Sequence, residues 1–279
     1  IKPSEYTSAS ALEFVKLVEK EGFPPGVFNV VTGFGAEVGE PLAVHPKVVK
    51  VAFTGGDVSG RRVYQAAASQ LKPVVLELGG KSPNIVFDDC IMDDAVKGAV
   101  SGIFAASGQA CIAGSRLLVQ KMIHNEFLDR LVKFASAAKL GDPKLATTQV
   151  GPITTQPQHK KVLDYIGIGR DEAAELVLGG KQADVASSKS GLFVEPSIFA
   201  GVNNSMRIAQ EEIFGPVLSV IPFADEDEAL TIANDTLYGL AAGVWTKNIR
   251  RAVNMSSRLR AGTVWVNTAR DVPNPFTMR

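Results

Sequence analysis

Short β-branched apolar runs alternate with stretches of helical periodicity along most of this sequence, and that alternation constrains the fold more than any other feature. Between residues 8 and 21 the apolar positions Ala11, Leu12, Val15 and Val18 recur at helical spacing, and Gly22 with Pro24-Pro25 ends the pattern. Residues 27–31 and 48–53 read as buried strands, each closed by a glycine-rich turn. Helical patterns over 36–44 and 57–69 follow them, and further strands are expected at 73–78 and 84–87. The second half repeats the theme, with helices near 92–106, 124–138, 158–166 and 226–234 and strands at 116–119, 217–223, 241–246 and 263–266. Connections of this length suit βαβ crossovers, so the fold class expected is α/β with a mostly parallel sheet.

A chain of 279 residues has room for two domains, and the boundary is expected near Gly79-Gly80. Apolar residues at 46% exclude a disordered chain, and 29 basic against 29 acidic residues leave no polybasic field for nucleic acid or anionic lipid. The partners expected are small molecules. No apolar run approaches the ~18 residues of a membrane span, and two cysteines, Cys90 and Cys111, make no disulfide framework. A cytoplasmic location is the expectation. The chain begins at Ile1 rather than Met and has no signal-peptide character, so its start is expected to lie within a longer product. Residues 186–191 (Ala-Ser-Ser-Lys-Ser-Gly) are the expected flexible loop, and the acids Asp225, Glu226, Asp227 and Glu228 fall where a helix should begin and its dipole favours negative charge.

Gly80-Lys81-Ser82 resembles the end of a P-loop, but Val75 stands where that motif requires glycine. Gly33-Phe34-Gly35 with Gly39 is one residue out of register for the dinucleotide fingerprint. Gly55-Gly56-x-x-x-Gly60 lies between a strand and a helix, and is either a tight turn or a cradle for a pyrophosphate. Cys111 sits in Gly108-Gln109-Ala110-Cys111-Ile112-Ala113-Gly114-Ser115-Arg116, where small neighbours would let a substrate reach the sulfur; the alternative is an inert structural thiol. Cys90 lies among Asp88, Asp89 and Asp94, whose charge opposes a thiolate. Glu77 ends the apolar run Val74-Val75-Leu76, either as a solvent-facing edge residue or as a buried carboxylate suited to general-base work. His45, His124 and His159 have no metal-ligand spacing and are expected at the surface, so no metal is expected.

Taken in order, Lys2-Pro3-Ser4-Glu5, Gly22-Phe23-Pro24-Pro25-Gly26-Val27-Phe28-Asn29, Phe53-Thr54-Gly55, Leu76-Glu77-Leu78-Gly79-Gly80-Lys81-Ser82-Pro83-Asn84, Gly108-Gln109-Ala110-Cys111 and Glu211-Glu212-Ile213-Phe214-Gly215-Pro216 resemble the aldehyde dehydrogenase superfamily over nearly the whole chain. The resemblance implies a Rossmann-like NAD-binding domain, incomplete here, in residues 1–79, a catalytic α/β domain in 80–265, and a truncated or divergent segment in 266–279. It implies Cys111 as nucleophile and Glu77, 34 residues upstream, as the base that activates water, which favours hydrolysis over acyl transfer to CoA. Lys2, Pro3, Ser4 and Glu5 would meet the adenosine ribose. Glu5 would repel a 2′-phosphate, so NAD is favoured over NADP. Gly55, Gly56 and Gly60 would meet the pyrophosphate, although the family commonly has Ser at the position of Gly56, and Leu78, Glu212 and Phe214 would surround the nicotinamide and its ribose. The resemblance further implies an upstream half that supplies the initial strands and an oxyanion-hole Asn, to which no residue here corresponds, and a homo-oligomer at full length. A second reading, a non-catalytic binding or structural protein, follows from the abbreviated ends.

Overall fold

A computed structural model describes residues 1–185 and 191–269 of the chain. All but Gly191 of the loop expected at 186–191, and the end of the C-terminal segment, 270–279, lie outside the described residues. The chain divides into two compact units, Ile1–Leu78 and Gly79–Arg279.

In the first unit, α1 (Ser8–Lys20) stops where Gly22 takes a φ of +77°, a conformation that glycine adopts at little cost. Residues 27–31, expected as a strand, form none. Their apolar run meets no ladder: Val31 N–H donates to Ile1 O and the Ile1 amino group donates to Asn29 O, a contact one residue long. The helical pattern of 36–44 is a π-turn, Gly35–Gly39, running into α2 (Glu40–Val44). A two-stranded parallel sheet follows, in which β1 (Val51–Thr54) leads through α3 (Asp57–Ala68) to β2 (Val74–Glu77), with Thr54 opposite Glu77.

The second unit is built on seven strands. Along the chain run β3 (Pro83–Val86), α4 (Met92–Phe104), a 3₁₀ turn (Ala105–Gly108), β4 (Arg116–Gln120), α5 (His124–Ser136), α6 (Gln156–Asp171), β5 (Glu175–Leu178), β6 (Ser197–Ala200), α7 (Arg207–Gln210), β7 (Val217–Phe223), α8 (Glu226–Asn234), β8 (Ala241–Trp245), α9 (Ile249–Arg258) and β9 (Thr263–Val266). The sheet order is β5-β6-β7-β4-β3-β8-β9, and every pair is parallel except β5 with β6. Both faces are buried: Ile85, Leu118 and Phe223 join one apolar cluster, while their neighbours Val86, Leu117 and Val119 join the other with Phe127 and Trp245. The fold class is therefore α/β.

Elements β5, β6, α7 and α9 were not legible in the pattern. In α9 the sequence Ile-Arg-Arg-Ala-Val-Asn-Met-Ser-Ser-Arg buries only Ala252 and Met255, so its apolar stripe is thin. His159 corrects an expectation. Helix α6 begins earlier than its periodicity suggested, with the Thr155 hydroxyl accepting from Gln158 N–H, and the register puts His159 on the buried face with Val162, Ile166 and Gly169.

Candidate active site

Three loops enter the amino ends of the parallel strands β3, β4 and β7, and there the second unit brings together Cys111, Glu212 and Phe214, three of the residues expected from the sequence. Gly79-Gly80 precedes β3, the Cys111 loop precedes β4 and residues 211–216 precede β7. A Cβ at Gly80 would lie 2.1 Å from the Cys111 carbonyl oxygen, and one at Gly79 would lie 2.7 Å from Glu212 Oε2. Gly80 N–H donates to Glu212 Oε1 at 3.0 Å. Gly80 thus lets the main chain run against the backbone of the cysteine loop, a closeness no residue with a Cβ permits, while a Cβ at Gly79 would have to displace the Glu212 carboxylate.

The Cys111 loop is strained on its approach. Ala106 (φ 53°), Ser107 (φ 56°) and Gly108 (φ 72°) form one left-handed turn, at a cost of roughly 1–2 kcal/mol for each residue that carries a Cβ. Packing holds it: Ser107 Oγ donates to Gly151 O at 2.8 Å, and a Cβ on Gly108 would lie 2.1 Å from Gly215 O. Phe214, across that contact, is left-handed as well (φ 59°). Helix α6 secures it from behind, because Gln158 Nε2 donates to Ile213 O and Phe214 O at 2.8 and 2.9 Å and Lys161 Nζ donates to Glu212 O at 2.8 Å. Sequence reasoning passed over Gln158 and Lys161; their spacing of three on one helix face was the available signal.

Cys111 is half-buried with a free thiol. Cys90 is buried, and its thiol is pushed up to about 11 by that burial first and by the adjacent Asp89 charge second, so it stays protonated. Lys81, next to Gly80, is fully buried, and its Nζ has no hydrogen-bond partner among the described residues. Burial, reinforced by the nearby Arg116 cation, pulls its ammonium down to about 7. The Arg116 guanidinium is itself satisfied by Lys81 O, Asn204 Oδ1, Ile232 O and Ala233 O.

In the first unit Glu77 is exposed at the carboxyl end of β2, and its carbonyl accepts from Gly55 N–H at 3.1 Å. Gly55 faces the Phe53 ring, 2.6 Å from where its Cβ would lie, whereas no described residue lies within 4 Å of a Cβ on Gly56, the residue just before α3. Gly60 packs against Leu78, whose Cδ2 would be 2.4 Å from a Cβ there. Lys2 Nζ donates to Pro3 O and Gly33 O, Ser4 Oγ accepts from Tyr6 N–H, and Glu5 is exposed. Among the described residues no group of three His, Cys, Asp or Glu could hold a metal ion, and no helix is long and apolar enough to cross a membrane.

Residues 1–277 match the aldehyde dehydrogenase family, and the chain belongs to it. It is 47% identical over 267 residues to a betaine aldehyde dehydrogenase of Bacillus subtilis, an alignment covering 96% of this chain and 54% of that protein. The chain spans about half the length of the curated relatives it matches. Among solved structures it resembles betaine aldehyde dehydrogenase from Staphylococcus aureus in complex with NAD+ (TM-score 0.95, 40% identity, covering 97% of this chain and 54% of that one). It likewise resembles PnpE from Pseudomonas sp. WBC-3 (TM-score 0.95, 45% identity, covering 98% and 56%).

Proposed function

We propose that the polypeptide carrying this chain oxidises an aldehyde to a carboxylic acid with NAD+, using Cys111 as nucleophile and Glu77 as general base. The observation that carries the reading is Cys111 itself: a free, half-buried thiol in a loop held in a left-handed conformation, against the Gly80 main chain that Glu212 also engages.

The residues present fit the dinucleotide. The start of α3 after Gly56 is open to an approaching pyrophosphate and offers main-chain N–H groups and a helix dipole. Gly55, Gly56 and Gly60 would hold that group, Lys2, Pro3, Ser4 and Glu5 the adenosine ribose, and Leu78, Glu212 and Phe214 the nicotinamide end. A carboxylate at Glu5 matches ribose hydroxyls and repels a 2′-phosphate, which favours NAD over NADP. When bound, the nicotinamide supplies the hydride acceptor. Residues 1–79 would then be the latter part of the NAD-binding domain and 80–265 the catalytic domain, with 266–279 beyond it.

Attack by the Cys111 sulfur on the aldehyde carbonyl forms a thiohemiacetal, and loss of its hydride leaves the acyl group on sulfur as a thioester. Glu77 takes a proton from water, the resulting hydroxide adds to the thioester, and the C–S bond breaks to release the acid and the thiolate. A base at this position favours water over CoA as acyl acceptor. The substrate class is a small aldehyde, and betaine aldehyde, named for the Bacillus relative, is the first to test. A homo-oligomer is the proposed assembly of the full-length protein.

With the native polypeptide, NADH formation from an aldehyde panel should be followed by absorbance. Cys111→Ala is expected to abolish it, and Glu77→Gln to permit one burst of NADH without steady turnover. Retained turnover in Cys111→Ala would falsify the nucleophile assignment.

A further inference from the structure

We infer that Gln109 is a positioning residue for Cys111, its side chain fastening the left-handed turn that aims the cysteine loop. The inference rests on the reading of Cys111 as the nucleophile. All the polar capacity of the Gln109 amide is used. Oε1 accepts from both Thr154 N–H and Thr154 Oγ1–H at 2.8 Å, while Nε2 donates to Ala106 O at 3.3 Å and to Pro152 O at 3.4 Å. One amide therefore joins the first residue of the left-handed turn to the loop 152–154.

That loop is a firm anchor. Ile153 is buried, and its N–H donates to Leu192 O at 2.8 Å. Thr155, the next residue but one, caps α6, the helix whose Gln158 and Lys161 grip the 212–214 segment. A second tie runs in parallel from Ser107 Oγ to Gly151 O. Two residues of the turn, Ala106 and Ser107, carry Cβ atoms and so resist the left-handed conformation; without Gln109 the backbone can relax toward an ordinary one, and Cys111 moves with it. Thr154 acts only through Gln109, so its hydroxyl should carry a smaller share of the effect.

The test is the rate of alkylation of the two cysteines by iodoacetamide, each quantified by peptide mass, across a pH series in Gln109→Leu, Thr154→Val and Thr154→Ser. Cys90 is the internal control, being buried and holding its proton tightly. In Gln109→Leu the alkylation of Cys111 should change rate by roughly tenfold or more and shift its pH midpoint while Cys90 stays protected. The kcat for aldehyde should fall by about 10²-fold with KM for NAD+ little changed, the order expected for a misplacement of about 1 Å. Thr154→Val should show the same changes more weakly, and Thr154→Ser should restore the parent behaviour. Unchanged rate and pH dependence at Cys111 in Gln109→Leu would overturn the inference, as would Cys90 becoming reactive in step with Cys111, which marks general loosening. The alkylation readout needs no turnover, so failure of the proposed reaction and failure of the positioning role are separately visible.

Discussion

The two ends of the seven-stranded sheet differ in how their side chains are held. At the carboxyl ends of β3, β7 and β8 the groups are matched: Asp225 caps α8 by accepting from Glu228 N–H, and Asn248 caps α9 by accepting from Arg250 and Arg251 N–H. There Thr246 Oγ1 donates to Asp89 at 2.7 Å, and Arg251 joins Asp89 and Glu226 at 2.9 and 3.0 Å while stacking 4.5 Å over the Phe87 ring. At the amino ends three non-glycine residues, Ala106, Ser107 and Phe214, are left-handed, and neither Lys81 Nζ nor Ser82 Oγ has a hydrogen-bond partner among the described residues. Ligands of open parallel sheets usually bind outside the carboxyl ends. Here Cys111, the proposed nucleophile, stands at the other edge, beside the left-handed residues Ala106 and Ser107.

The contrast breaks most sharply at Gly108. Alanine there must adopt a φ of +72° and set its Cβ 2.1 Å from Gly215 O and 2.7 Å from Pro216 N. Overpacking costs about 1–3 kcal/mol and the left-handed conformation about 1–2 more. Gly108→Ala should therefore lower stability by about 2–5 kcal/mol, read from denaturant unfolding, and remove nearly all thiol reactivity at Cys111 that depends on loop placement. Equal stability in the variant would show that the amino edge is slack rather than strained.

Lys81 sharpens the comparison through pH. Burial first, and then the Arg116 charge, lower its ammonium from 10.5 to about 7, with Glu212 and Glu211 opposing the shift and Lys161 adding to it. Between those two values the unfolded chain binds a proton that the folded chain has released, so stability rises with pH across that window by up to about 1.4 kcal/mol per unit; below 7 the burial penalty is present in full. Lys81→Met keeps the bulk and removes the charge. It should raise the urea midpoint at pH 7, with the gain shrinking by pH 9. No gain at pH 7, or a loss, would show that Lys81 finds partners once protonated.

How far the sequence disclosed all this differs between the two edges as well. Most strands of the second unit were readable because their signals are local, apolar runs and acids ahead of α8, whereas Cys111, Glu77 and Glu212 stood out only through the resemblance. Residues 27–31 failed as a strand because a β-branched run specifies a strand only when a neighbouring chain completes the ladder. His159 went inside because it shares the face of α6 that carries Val162, Ile166 and Gly169, and the pattern alone did not fix which face would be buried. Gln109 and Lys81 were invisible in their roles, since both act through partners 43 to 45 or 35 residues away in sequence. The resemblance named the chemical groups; only the folded chain showed what grips them.

The carboxyl edge yields smaller effects, and none should reach Cys111. Arg251→Ala leaves Asp88, Asp89 and Glu226 without their shared cation and strips the Phe87 ring of its cover. With the pairs only partly shielded from water, the loss should be about 1–2 kcal/mol, reduced by added salt, with iodoacetamide reactivity at Cys111 unchanged.

Asp225→Ala is the mildest break. The Asp225 carboxylate accepts from Glu228 N–H at 3.0 Å while Glu228 Oε2 reaches back to Ala224 N–H, a reciprocal cap at a helix start whose dipole also favours the acids there. Alanine removes one half of that pair and should cost about 1 kcal/mol in the thermal or denaturant midpoint. Because α8 contributes the Ile232 and Ala233 carbonyls that receive the Arg116 guanidinium, and Arg116 in turn binds Lys81 O beside Gly80, a frayed α8 offers one route from the satisfied edge to the strained one. An altered Cys111 alkylation rate in Asp225→Ala would show that the route transmits; an unaltered one, the expected result, would show that the buried Arg116 isolates the amino edge from stability changes at the other.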